Sequence, residues 1–358
     1  MNDAISPPSE AAPVARVVNW PQVGMFVGLT FGLTWLLNLW LYLVGGLASP
    51  AAGLTLVTQM LIPAFSAILL ETFVFSDSPL YFKVHHGPAR WFTYFYLGMS
   101  VLAIIGAAVG LAAPGLAQTI LIAISIIELA GLVVLLVARW RGGKDTFASV
   151  CLAGGKFRWW VIFALGMTGF YLLMTLLNML FKLGTPLDIA KAMPQLAGLP
   201  PPALHGLLLL QILIITPLSN LLFFFGEEYG WRGFLQTALA RMGRIRGTFL
   251  VGVIWGIWHA PVILMGYNYP ENPLLGVLLM TLYCILLAYF LAYAVYKSQG
   301  VWTAAFLHGI NNNVASYFFG ILYVPGSVIL SFGIGVYGLV CMAVVVLLLL
   351  RDPLWKER

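Results

Sequence analysis

The chain has 358 residues, 61% hydrophobic and 8% charged, with a mean hydropathy of +0.96. A soluble domain carries about a quarter charged residues, so this composition excludes an ordinary water-soluble globule and points to an all-α, polytopic transmembrane helix bundle. The net charge of +6 calls for no nucleic-acid partner, because the basic residues fall in short loops that a cytosolic membrane face accounts for.

In chain order, residues 1–21 form a polar tail rich in Pro and Ala. Asp3, Glu10 and a single basic Arg16 precede Trp20, a poor match to a signal peptide. Apolar stretches long enough to cross a bilayer follow at about 22–47, 52–75, 91–113, 116–138, 159–181, 204–226, 248–266, 273–296, 302–320 and 327–350, giving about 8–10 spans. Residues 22–203 thus form a first set of membrane helices. Residues 204–325 form a core that holds the polar motifs, and 326–358 form a last helix with a short tail.

Loop charge sets the expected orientation. Arg139, Arg141, Lys144, Lys156 and Arg158 lie between the fourth and fifth spans, Lys83 and Arg90 between the second and third, and Arg241, Arg244 and Arg246 after the sixth. Lys297 follows the eighth, whereas the intervening loops hold few positives: Lys182 and Lys191 are partly offset by Asp188. The alternation places both termini in the cytosol of a multi-pass protein of the cell (inner) membrane. Cys151, Cys284 and Cys341 are far apart, form no CxxC pair and read as small packing residues.

The stretch 204–242 is nearly twice the length that one bilayer crossing needs. Pro217 is able to break it, which lets a second piece, about 218–242, enter the membrane with Glu227 and Glu228 well inside. A charge at membrane depth costs about 3 kcal/mol or more and persists mainly where it has a partner and a task. Glu228 and Arg232 are i,i+4 neighbours suited to an ion pair, which leaves Glu227, rotated by about 100°, free to act as a base. His259 stands in a later apolar segment just before Ala260-Pro261, and Pro261 is expected to distort the helix there. His308 and Asn312 are again i,i+4 and share one helix face. A carboxylate base, a neighbouring His and a His/Asn donor pair are what water-mediated amide hydrolysis requires.

Three runs carry a family resemblance: Glu227-Glu228-Tyr229-Gly230-Trp231-Arg232, Trp255-Gly256-Ile257-Trp258-His259 and His308-Gly309-Ile310-Asn311-Asn312. Their order is similar to the EExxxR, FxxxH and HxxxN signature of the type II CAAX prenyl proteases and their bacterial relatives, the CPBP intramembrane proteases. Trp255 stands where that family usually has Phe. The resemblance covers roughly 205–320 and implies an intramembrane endopeptidase. In it Glu227 is the general base, His259 assists, His308 and Asn312 form the oxyanion site, and Glu228 and Arg232 support them. The implied substrate is a membrane-associated peptide or lipidated protein, met in a cavity that opens toward the cytosol. Zinc is a candidate cofactor through Glu227, His259 and His308, although the HExxH helix is absent.

Blander readings apply elsewhere. Glu71 and Glu128 read as structural, with Glu128 needing a polar partner on another helix, and His205 reads as interfacial. His85 and His86 are expected to be solvated, and Trp91, Trp159, Trp160 and Trp302 to form an interfacial belt. Asn311 and Asn313 are expected to point away from the Asn312 face. A transporter with a buried proton relay, and a membrane scaffold or immunity protein without proteolysis, are the competing functions. Oligomeric state is not legible.

Overall fold

The computed structural model describes residues 17–150, 152–187 and 198–356. The expectations placed on Asp3, Glu10, Arg16, Cys151, Asp188 and Lys191 lie outside the described residues. The architecture is an all-α polytopic bundle. Its helices are α1 (Trp20–Leu43), α2 (Ala52–Phe73), α3 (Ala89–Ala112), α4 (Ala117–Ser149) and α5 (Phe157–Leu180). After them come α6 (Pro201–Ser219), α7 (Leu221–Glu228), α8 (Arg244–Trp258), α9 (Ala260–Leu264), α10 (Pro273–Ser298), α11 (Val301–Tyr317) and α12 (Val336–Leu349). Strands β1 (Gly184–Thr185) and β2 (Val324–Pro325) form one antiparallel two-residue ladder.

Among the described residues, seven helices are long and apolar enough to cross a membrane: α1 to α6 and α10. The expected span at 248–266 is divided at His259 into α8 and α9. Pro261 causes the division, since it supplies no N–H to the ladder and its ring crowds the preceding turn. The expected span at 327–350 also starts late, because the chain is irregular until Val336. Helix α6 ends at Ser219, shortly past Pro217. Asn220, at φ −109° and ψ 23°, separates it from α7, which carries the Glu pair. From Tyr229 to Leu235 the chain continues α7 as a π-helical segment that contains Arg232.

Close helix contacts rest on two glycine pairs. A Cβ on Gly226 would meet the backbone of Met60 and Leu61, and one on Gly230 the backbone of Pro63, so α7 lies directly against α2. Gly252 and Gly256 of α8 face Ile285 and Thr281 of α10 in the same way. Each pair has GxxxG spacing, which lets backbones approach where lipid supplies no hydrophobic drive between helices.

Hydrogen bonds mark the two ends of the bundle. At one end Arg241 Nη1 donates to Val17 O and Arg244 Nη1 to Leu354 O, while Lys297, in the last turn of α10, pairs with Asp352 at 2.6 Å. At the other end Asn178 holds both backbone groups of Phe332, and Tyr269 Oη donates to Ile334 O. Glu271 there accepts from Ser327 Oγ and Val328 N, both at 2.6 Å.

Two surface expectations need correction. His85 is 3% exposed and pairs with Thr93 Oγ1 at 3.2 Å, because the 74–88 connection folds back on α3 instead of extending into solvent. Trp302 is not on the bundle surface: it is buried, stacks on Phe225 with centroids 4.3 Å apart, and donates to Leu152 O.

Candidate active site

Glu227 and Glu228 end α7, and both are buried. Their carboxylates take different partners, as expected from the rotation between consecutive helical positions. Glu228 Oε1 accepts from Arg232 Nη1 at 3.0 Å and from His308 Nδ1 at 2.8 Å. Arg232 is thereby held inside the bundle, its guanidinium 4.1 Å from the Trp255 ring centre. Such a pair survives burial because each charge meets both an opposite charge and further polar or aromatic groups.

Glu227 has a different partner, the Trp255 indole, whose Nε1 donates to Oε2 at 2.9 Å. Trp255 also lies between the two imidazoles, 5.8 Å from His259 and 5.7 Å from His308 by ring centres. His259 Nδ1 stands 2.9 Å from Trp255 O. A carbonyl only accepts, so Nδ1 carries a proton, and in the neutral ring Nε2 keeps its lone pair. The neighbouring Trp258 donates to Thr34 Oγ1 of α1 at 3.0 Å, which anchors the helix break where His259 sits.

Glu227, His259, His308 and Asn312 all line one cavity of about 510 Å³. Asn311 lines it too, contrary to the expectation that it points away. Its Oδ1 lies 2.7 Å from Tyr171 Oη and 2.9 Å from Tyr283 Oη, while its Nδ2 donates to Asn312 Oδ1 at 3.1 Å. That last bond engages the Asn312 oxygen and leaves its NH2 group as a donor. Asn313 does turn away, donating to Gly309 O. Sequence reading missed Asn311, Tyr171 and Tyr283. The available signal was an amide deep in an apolar helix, which needs partners for several hydrogen bonds.

Glu128 finds the partner expected for it, but in a backbone group. Its Oε1 accepts from Leu222 N at 2.9 Å. The break at Asn220 leaves the first N–H groups of α7 without intrahelical acceptors, and the α4 carboxylate satisfies one of them. Glu71 accepts from Tyr229 Oη at 3.0 Å and Ser78 Oγ at 3.3 Å, and His205 pairs with Tyr317 Oη at 2.7 Å. Cys284 is buried on the cavity wall, 3.8 Å from His259 Nδ1.

Among the described residues, no group of three or more His, Cys, Asp or Glu is placed to hold a metal ion. Glu227, His259 and His308, the candidate zinc set, line one cavity but are not such a group.

The cavity lies toward the end of the bundle where Glu271 and Asn178 tie down the 326–335 connection. Its wall includes Leu56 and Met60 from the first half of α2, Tyr267 and Asn268 after α9, and Val324 to Ile334 after α11. The loops rich in Lys and Arg are at the opposite end. Cytosolic basic loops and a cytosolic mouth therefore do not fit together, because α8 carries the chain from Arg244 at one end to His259 near the other.

Residues 207–314 match the family described as type II CAAX prenyl endopeptidase Rce1-like. The matched stretch contains Glu227, Glu228, Arg232, His259, His308 and Asn312. It agrees with the resemblance carried by the three motifs. No curated protein and no solved structure matches the chain.

Proposed function

We propose that this bundle is an intramembrane endopeptidase that hydrolyses a peptide bond of a membrane-associated peptide or lipidated protein with water activated by Glu227. The observation that carries the reading is the convergence of Glu227, His259, His308 and Asn312 on one cavity around Trp255. Glu227 and Glu228 bring two negative charges and Arg232 one positive charge. A proton on His308 balances the remaining charge in a site that water solvates poorly. His308 then donates from Nδ1 to Glu228 and has Nε2–H for the substrate.

In this scheme Glu227 takes a proton from water while the water oxygen adds to the scissile carbonyl carbon. His259 Nε2 accepts a hydrogen bond from the second O–H of the water and fixes the direction of attack. The carbonyl oxygen becomes an oxyanion, met by His308 Nε2–H and the Asn312 amide NH2. Collapse breaks the C–N bond, the proton on Glu227 passes to the departing amine, and the new carboxylic acid ionises. Arg232 and Glu228 act on His308, fixing its ring rather than touching substrate.

Glu227→Gln tests the reading, because it keeps the shape and the indole contact but removes the base. The expected result is loss of cleavage in a protein that still inserts and stays monodisperse in detergent. Turnover at the wild-type rate would remove Glu227 from the chemistry and the proposal with it.

A further inference from the structure

Two charge patterns divide the bundle end to end. The 74–88 connection, the 139–158 stretch, the turn before α8, the end of α10 and the stretch after α12 carry Lys or Arg, and the contacts of Arg241, Arg244 and Lys297 put three of these together at one end. The described connections at the other end are 44–51, 113–116, 181–187, 198–200, 265–272 and 323–335. Lys182 is the only basic residue among them and Glu271 the only acidic one. Short loops rich in Lys and Arg stay in the cytosol, and this bias sets orientation in multi-pass proteins.

Cavity walls follow the same division. Asn268 and the 324–334 segment belong to the charge-poor end, and Asn312 and Ser316, one turn apart on the second half of α11, are exposed. Two of the reacting groups come from chain that has already left the basic end: His259 closes α8, and Asn312 stands eleven residues past Val301 by number (312 − 301 = 11).

From these observations we infer that the cavity is entered from the extracytosolic side, so its substrate is a membrane peptide whose scissile bond is presented on the outer face. The inference rests on the endopeptidase reading for the word substrate, but its geometry does not depend on that reading. A peptide that stays in the cytosol, prenylated or not, does not reach Glu227 by this route. The class that fits is a secreted or single-span peptide with its cleaved segment outside the cytosol. The reaction supplying it is export across, or insertion into, the same membrane.

The test is thiol labelling of the full-length protein in intact and in permeabilised cells, using a small membrane-impermeant methanethiosulfonate. Leu330→Cys and Ala48→Cys report the charge-poor end, Ser149→Cys reports the basic end, and all three positions are exposed. Asn312→Cys reports the cavity, and the unsubstituted chain measures the background from its own thiols. We expect Leu330→Cys, Ala48→Cys and Asn312→Cys to label in intact cells, and Ser149→Cys only after permeabilisation. Labelling of Ser149→Cys in intact cells, or of Asn312→Cys only after permeabilisation, overturns the inference. Labelling needs no turnover, so this outcome is separate from that of Glu227→Gln.

Discussion

The indole N–H of Trp255 donates to Glu227 Oε2 at 2.9 Å, and the centre of the same ring lies 4.1 Å from the Arg232 guanidinium. One side chain thus touches the proposed base and packs on the cation that neutralises its neighbour. Trp255→Phe keeps an aromatic face for Arg232 and deletes the donor. A hydrogen bond to a charged group contributes about 1.5–3 kcal/mol, so kcat is expected to fall roughly tenfold or more with KM little changed. An unchanged kcat would show that the indole only packs.

Arg232 and Glu228 are both fully buried, and breaking one partner of such a pair costs about 3–5 kcal/mol. Arg232→Ala is expected to lower the thermal unfolding midpoint of the detergent-solubilised protein markedly. The double variant Glu228→Gln with Arg232→Gln should lose less, because no uncompensated charge remains. Equal losses in both would mean that packing, not charge, dominates at this position.

The contact from Glu128 to Leu222 N crosses from α4 to the start of the helix that carries the Glu pair. Glu128→Gln retains an acceptor oxygen and is expected to stay near wild type. Glu128→Leu leaves the N–H unpaired and should cost about 1–3 kcal/mol. Denaturant or thermal unfolding of the two variants side by side separates these outcomes.

His85, in the connection between α2 and α3, is held below its ordinary value of 6.5 by burial first, then by Arg90 and His86. Protonation is therefore less favourable in the folded protein than in the unfolded chain. The stabilising contribution is present above pH 6.5 and is lost as pH falls through the lower folded value. Unfolding midpoints measured from pH 8 downward should decline below about 6.5, and His85→Asn should flatten that decline. A parallel decline in the variant would assign the effect to other groups.

The proposed scheme routes no step through a metal ion, so chelation is expected to leave turnover unchanged. Dialysis against a strong zinc chelator followed by an activity assay checks this. Loss of activity that zinc alone restores would overturn the expectation.

Much of the fold was legible because its signals are local. Apolar length marks α1 to α6 and α10, and Pro217 and Pro261 announce breaks close to where Asn220 and His259 interrupt their helices. The late start of α12 was not legible, because residues 327–335 are as apolar as a helix but are held irregular by Asn178, Tyr269 and Glu271 from elsewhere in the chain. Burial of Trp302 likewise depends on Phe225 and Leu152, which no window of sequence around it contains.

From the chain alone came the membrane bundle, the spacing of the three motifs and the Glu228–Arg232 pair, since each depends on composition or on residues within a helical turn. The folded structure alone decided that Glu227 bonds to Trp255, that Asn311 joins Asn312 on the cavity wall, and that the cavity lies away from the basic loops. Those outcomes follow from where α2, α7, α8, α10 and α11 cross. Backbone contact at Gly226, Gly230, Gly252 and Gly256 sets those crossings, and residues far apart in number meet there.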